Sequence, residues 1–148
     1  MKVLIIYGST TGNTERLAGY IKEGLIESGI EVVLKDVKEV SVKEVEEYPG
    51  VLLGCSTWGE GELQEDFLDF YEKMGEASWQ GKKVGVFGPG DKGMYPDSFC
   101  KAVDSIEEKA KELGADLISE SLKIDGDVDA AADKAREWAK KLAARLKG

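Results

Sequence analysis

The sequence predicts an α/β fold: a parallel sheet covered by helices on both faces. Three observations predict it. Short apolar runs without polar alternation recur along the chain, such as Val3-Leu4-Ile5-Ile6-Tyr7 and Val51-Leu52-Leu53-Gly54-Cys55. Runs of this kind belong to strands buried on both faces. Segments of helical period alternate with the strands five times, which calls for parallel strands joined by crossover helices. Glycine, proline and acidic residues gather between the two kinds of segment and punctuate them.

In chain order, Val3 to Tyr7 is the first strand, followed by the loop Gly8 to Thr14. A helix then starts near Asn13 or Thr14, because Leu17, Ala18, Ile21, Leu25 and Ile26 fall at helical spacing. Gly29 ends it as a left-handed cap, and Ile30 to Leu34 is the second strand. An acidic stretch, Val37 to Glu47, carries a short helix before Pro49 and Gly50 introduce the third strand, Val51 to Cys55. Ser56 to Gly61 is a loop, and Leu63 to Met74 is helical through Phe67, Leu68, Phe70 and Tyr71. Lys83 to Phe87 forms a fourth strand, and a glycine-rich loop runs from Gly88 to Pro96. Asp97 or Ser98 caps a helix from Phe99 to Leu113, which Gly114 ends. Ala115 to Ile124 is the fifth strand region, and Ala130 to Leu146 a last helix with Ala135, Trp138, Leu142 and Ala143 on one stripe.

At 148 residues, with no linker or composition break, residues 1–148 are expected to form a single domain. The net charge of −9 argues against nucleic acid or an anionic membrane and for partners with basic patches. No apolar run approaches the length of a membrane span, and Met1-Lys2 leads directly into strand residues, so no signal peptide is expected. The chain has no histidine and two cysteines, Cys55 and Cys100, without metal spacing. They read as free thiols in a reducing cytoplasm. Neither suits a phosphatase nucleophile, since a Cys-x5-Arg pattern would need arginine where Gly61 and Ile106 stand.

The most informative stretch is Gly8-Ser9-Thr10-Thr11-Gly12-Asn13-Thr14. It joins a strand end to a helix N-terminus, where unpaired N–H groups and the positive end of the helix dipole favour an anion. Ser9, Thr10, Thr11 and Thr14 add hydroxyl donors, and the loop holds no Lys or Arg. A helix cap needs one such residue, not five. The pattern is neither Gly-x4-Gly-Lys-Ser/Thr nor Gly-x-Gly-x-x-Gly, so a lone phosphate monoester fits best. The carboxyl edge of such a sheet gathers loops at one site. There this loop would meet Ser56-Thr57-Trp58-Gly59-Glu60 and Gly88-Pro89-Gly90-Asp91-Lys92-Gly93-Met94-Tyr95. Trp58 and Tyr95 could enclose a flat heterocycle. A flat ring joined to one phosphate describes flavin mononucleotide (FMN).

Gly8 to Thr14, Cys55 to Gly59, Gly61-Glu62-Leu63-Gln64, and Gly90-Asp91 through Tyr95 to Phe99-Cys100 closely resemble a flavodoxin of the short-chain type, over the whole chain. The resemblance implies a flavodoxin-like doubly wound five-stranded parallel sheet of order 2-1-3-4-5. It implies a low-potential one-electron carrier with non-covalently bound FMN, shuttling between semiquinone and hydroquinone. No catalytic residue and no metal are implied. Ser9, Thr10, Thr11, Gly12, Asn13 and Thr14 would bind the phosphate. Trp58, in the segment with Ser56 and Thr57, would cover the inner flavin face and Tyr95 the outer one. Backbone groups of Pro89, Gly90, Asp91 and Cys100, next to Phe99, would meet the pyrimidine edge. Gly59 would be the peptide that turns over on reduction. Glu60, Glu62, Glu65, Asp66 and Asp91 would lie near the ring and disfavour its anionic state. The implied partners are redox proteins with basic docking surfaces, the carrier acting as a monomer without nucleic acid or membrane.

Two rival readings stay open on the residues. An FMN-dependent quinone or NAD(P)H oxidoreductase of this fold would need a substrate pocket from inserted segments. A phosphoacceptor regulatory module would need acids where Gly8-Ser9-Thr10-Thr11 stands and an Asp in place of Gly54-Cys55.

Overall fold

The computed structural model describes residues 1–58 and 61–147. In chain order the elements are β1 (Lys2–Gly8), α1 (Asn13–Glu27), β2 (Glu31–Asp36), β3 (Gly50–Cys55), β4 (Thr57–Trp58), β5 (Glu62–Leu63) and α2 (Glu65–Lys73). Then follow β6 (Lys83–Gly90), α3 (Lys101–Glu112), β7 (Asp116–Leu117), β8 (Leu122–Asp125) and α4 (Ala132–Lys147). The main sheet is parallel, in the order β2-β1-β3-β6-β7, and β8 also pairs with β6. This is the expected 2-1-3-4-5 order with the fifth strand divided in two. Its first piece pairs with Lys83 and Val84, its second with Phe87 to Gly90. In the break, α4 takes over the pairing. Arg145 donates to the Ile118 carbonyl at 2.6 Å and Trp138 Nε1 to that of Glu120 at 2.9 Å.

Side chains alternate across the central strands, because successive Cβ atoms point to opposite faces. Val3, Ile5, Leu52 and Phe87 join α1 and α4 in one core, while Leu4, Ile6, Leu53 and Val86 join α2 and α3 in the other. Each strand therefore feeds both layers, which is why these runs read as continuously apolar. α1 and α4 pack at close range, so that a Cβ added to Gly24 would stand 2.5 Å from the Arg136 carbonyl oxygen. Among the described residues no helix is long and apolar enough to cross a membrane.

Three local expectations are corrected. Val37–Glu47 is not one short helix but two 3-10 turns, Val37–Glu39 and Val42–Glu47. The second helix starts at Glu65, not Leu63, because Leu63 pairs with Thr57 in a small antiparallel hairpin. Gln64 caps that helix, its Oε1 accepting from Phe67 N at 3.0 Å. The third helix starts at Lys101, and neither Asp97 nor Ser98 caps it. Ser98 instead closes a turn, its carbonyl accepting from Lys101 N at 3.1 Å. The cap comes from elsewhere in the chain: Thr57 Oγ1 accepts from Ala102 N at 2.9 Å.

Candidate functional site

The loop between β1 and α1 is built from the interior outward. Gly12, at φ 91°, takes the left-handed backbone that starts the helix. Its N–H donates to Ser9 Oγ at 3.0 Å. Thr10 Oγ1 accepts from Gln64 Nε2 at 3.1 Å, and Gln64 is itself buried. Asn13 Oδ1 accepts from Arg16 Nη2 at 2.6 Å. Thr14 is buried at the first turn of α1. Among the described residues, its Oγ1 is the one buried side-chain nitrogen or oxygen without a hydrogen-bond partner. A buried hydroxyl left unpaired costs about 1–3 kcal/mol, so its partner is expected to arrive from outside the chain.

Beside this loop opens a cleft of about 460 Å³. Thr11 and Asn13 line it from the first loop, and Ser56, Thr57 and Trp58 from the segment after β3. Pro89, Gly90, Asp91 and Tyr95 line it from the end of β6 onward. The three expected loops thus meet at one edge. Trp58 and Tyr95 are 42% and 47% exposed, unusual for such large rings. Trp58 Nε1 donates to Ser56 Oγ at 2.9 Å, which steers the indole. The Tyr95 loop is a turn stitched by Asp91, whose carbonyl accepts from Tyr95 N at 2.9 Å and whose Oδ1 accepts from Met94 N at 3.1 Å.

Not every sequence-predicted residue faces the cleft. The Ser9 hydroxyl accepts from Gly12 N, Thr10 is tied to Gln64, and Thr14 is buried and does not line the cleft. Thr57 lines the cleft but its hydroxyl is committed to α3. The Phe99 ring sits under the Lys92 ammonium, 5.0 Å from its centroid. Cys100 is fully buried, its Sγ donating to the Gly88 carbonyl at 3.5 Å. Burial pushes both the Cys55 and Cys100 thiols up to about 12, so neither is a thiolate nucleophile near neutral pH. Gly59 and Glu60 lie outside the described residues.

The expected acids separate. Asp91 lines the cleft, whereas Glu62 and Glu65 line a neighbouring hollow that shares Trp58 with it. Asp66 Oδ2 accepts from Gln64 Nε2 at 3.1 Å. Sequence reasoning missed Gly126 and Asp127, which line the cleft from the end of β8. Gly126 N donates to the Gly90 carbonyl at 2.9 Å, and Asp125 Oδ1 accepts from Lys92 N at 2.9 Å. Their signal was available, since every strand of a parallel sheet ends on the same edge. Also missed were Gln64 as the buried tie and Arg16 beside the loop.

Among the described residues no cluster of His, Cys, Asp or Glu could hold a metal ion. The cleft instead suits a ligand with a small anion at one end and a flat apolar body at the other.

A family profile described as flavodoxin matches residues 5–138. The flavodoxin of Maridesulfovibrio salexigens is 48% identical, covering 98% of this chain and 99% of the relative. That of Nitratidesulfovibrio vulgaris is 43% identical over 97% of this chain and 98% of its own length. The crystal structure of oxidised flavodoxin 2 from Bacillus cereus superposes with a TM-score of 0.92 at 39% identity, covering 98% of this chain and 99% of that one. With a matching profile over most of its length and relatives this similar, the chain belongs to the flavodoxin family.

Proposed function

We infer that the chain holds one non-covalent FMN in the three-loop cleft and serves as a low-potential carrier of single electrons between proteins, without substrate turnover. The observation that carries this is Thr14 Oγ1, buried and unpartnered at the N-terminus of α1, beneath a loop of hydroxyl and amide donors. A phosphate there satisfies the orphan hydroxyl and meets the positive end of the helix dipole. The residues fit the group.

Thr11 and Asn13 would hold the phosphate from the cleft side. Trp58 and Tyr95 would flank the ring and exclude water from its faces, while the backbone of Pro89 and Gly90 would run along its edge. Bound FMN supplies the electron-accepting ring, and no bond to the protein forms or breaks. Asp91 and Asp127 add negative charge to the cleft, which opposes further negative charge on the ligand. The excess of acids over bases, at net −9, supports partners with basic docking surfaces, approached by steering. Two free, buried cysteines suit a reducing cytoplasm.

The test is a visible spectrum of the purified protein, then acid extraction and chromatography. One FMN per chain is expected. Recovered FAD, or no flavin even after reconstitution, overturns the reading. Sustained NAD(P)H oxidation with a quinone acceptor would move the chain to the flavoenzymes.

A further inference from the structure

The loop itself contains no cation, yet Arg16, one turn into α1, stands directly beside it. Its Nη2 donates to Asn13 Oδ1 at 2.6 Å and its Nε to Asp129 Oδ1 at 3.3 Å. Nη1 lies 3.4 Å from where a Cβ on Gly12 would be. Asp129 is anchored in turn by the Tyr20 hydroxyl at 2.6 Å. Arginine has donors only, so the amide atom facing it must be the Asn13 oxygen. That leaves the Asn13 NH2 group as the free end of the amide, and Asn13 lines the cleft.

We propose that Arg16, held by Asp129 and Tyr20, is a positioning residue for the phosphate end of the ligand. It claims the Asn13 carbonyl, so that the amide presents its two N–H donors to an incoming anion. Without Arg16 the amide is free to turn, and its oxygen would then face the phosphate and repel it. The selectivity this creates favours a phosphorylated flavin over an unphosphorylated one. The inference rests on the FMN reading above and adds a residue that acts through Asn13. The Asp129 carboxyl is held below its usual range, first by the Tyr20 hydrogen bond and then by Arg16, so the anchor stays ionised to a lower pH than a free aspartate.

The test is titration of the flavin-free full-length chain with FMN and with riboflavin, read by quenching of flavin fluorescence. Wild-type binding of FMN comes first, because its absence would overturn the functional reading and not this inference alone. Arg16→Ala is expected to weaken FMN about tenfold, the loss of one charge-assisted hydrogen bond, and to leave riboflavin unchanged. Retained riboflavin affinity also reports that the variant is folded. Asn13→Ala is expected to lose as much, and the double variant no more than Asn13→Ala alone, since the two residues act through one contact. Asp129→Asn is expected to show a smaller loss in the same direction. Unchanged FMN affinity in Arg16→Ala, equal losses for both flavins, or fully additive losses in the double variant would each overturn the proposal.

Discussion

The two ends of the cleft are built in opposite ways. At the end proposed for the phosphate, the loop from Ser9 to Thr14 rests on interior groups: Gln64 is buried and reaches Thr10, and Thr14 is buried. At the end proposed for the ring, Trp58 and Tyr95 are nearly half exposed, and the hydrogen bonds that steer them come from their own segments. The first end is thus shaped before any ligand arrives, with one unmet hydrogen bond as its signature. The second end offers apolar rings to solvent, at a cost that a stacked ligand would recover. Affinity should therefore be concentrated at the phosphate, and tuning of the ring at the other end.

The sharpest way to break this comparison is Thr14→Val, which removes the hydroxyl at nearly constant shape. FMN affinity is expected to fall by about 1.5–3 kcal/mol, the worth of a hydrogen bond to a charged group. Riboflavin affinity should not change. Thermal stability of the flavin-free chain should stay level or rise, because the lost hydroxyl had no partner there. A drop in flavin-free stability equal to the loss in affinity would mean that Thr14 serves the fold and not the phosphate.

A smaller effect is expected at the other end. Trp58→Ala should weaken FMN and riboflavin equally, by about 0.5–1.5 kcal/mol beyond the area lost. The exposed indole should matter little to unfolding of the flavin-free chain. Selective loss of FMN would place Trp58 at the phosphate and reverse the assignment of the two ends.

The smallest effect concerns charge. A unit charge at about 10 Å, with an effective dielectric of about 40, contributes roughly 0.8 kcal/mol, or about 35 mV for a single electron. Asp91→Asn and Asp127→Asn should each raise the more reducing of the two one-electron midpoints by some tens of millivolts at low salt. Glu62→Gln, in the neighbouring hollow and not in the cleft, should move it less. Added salt should shrink all three shifts. Potentiometric titration decides this: if Glu62→Gln matches the two aspartates, the ring does not lie in the cleft that they line.

The loop between β1 and α1 was legible in the sequence because its information is local. A strand end, a run of hydroxyl residues and a helix start fall within fourteen consecutive residues, and helix-start chemistry acts over one turn. The sheet order was legible for a related reason, as buried parallel strands write themselves as uninterrupted apolar runs. The ring end was legible only in outline. Trp58 and Tyr95 announced themselves as aromatics in glycine-rich segments, but which groups they share the cleft with depends on where β8 ends.

The sequence by itself determined the alternation of strands and helices, the hydroxyl-rich loop at the start of α1 and the acidic character, since each is set by periodicity, composition or a single turn of backbone. Tertiary structure decided the rest. It gave the cap of α3 to Thr57, 45 residues away from Ala102, over the nearer Asp97 and Ser98. It split the fifth strand where Arg145 and Trp138 claim its carbonyls. It brought Asp129 to Arg16 across 113 residues, and Gly126 and Asp127 to the cleft. The physical reason is common to all of these. A hydroxyl, carbonyl or guanidinium takes whichever partner the packed chain brings within about 3 Å, and that choice is made only once the two cores have closed on the sheet.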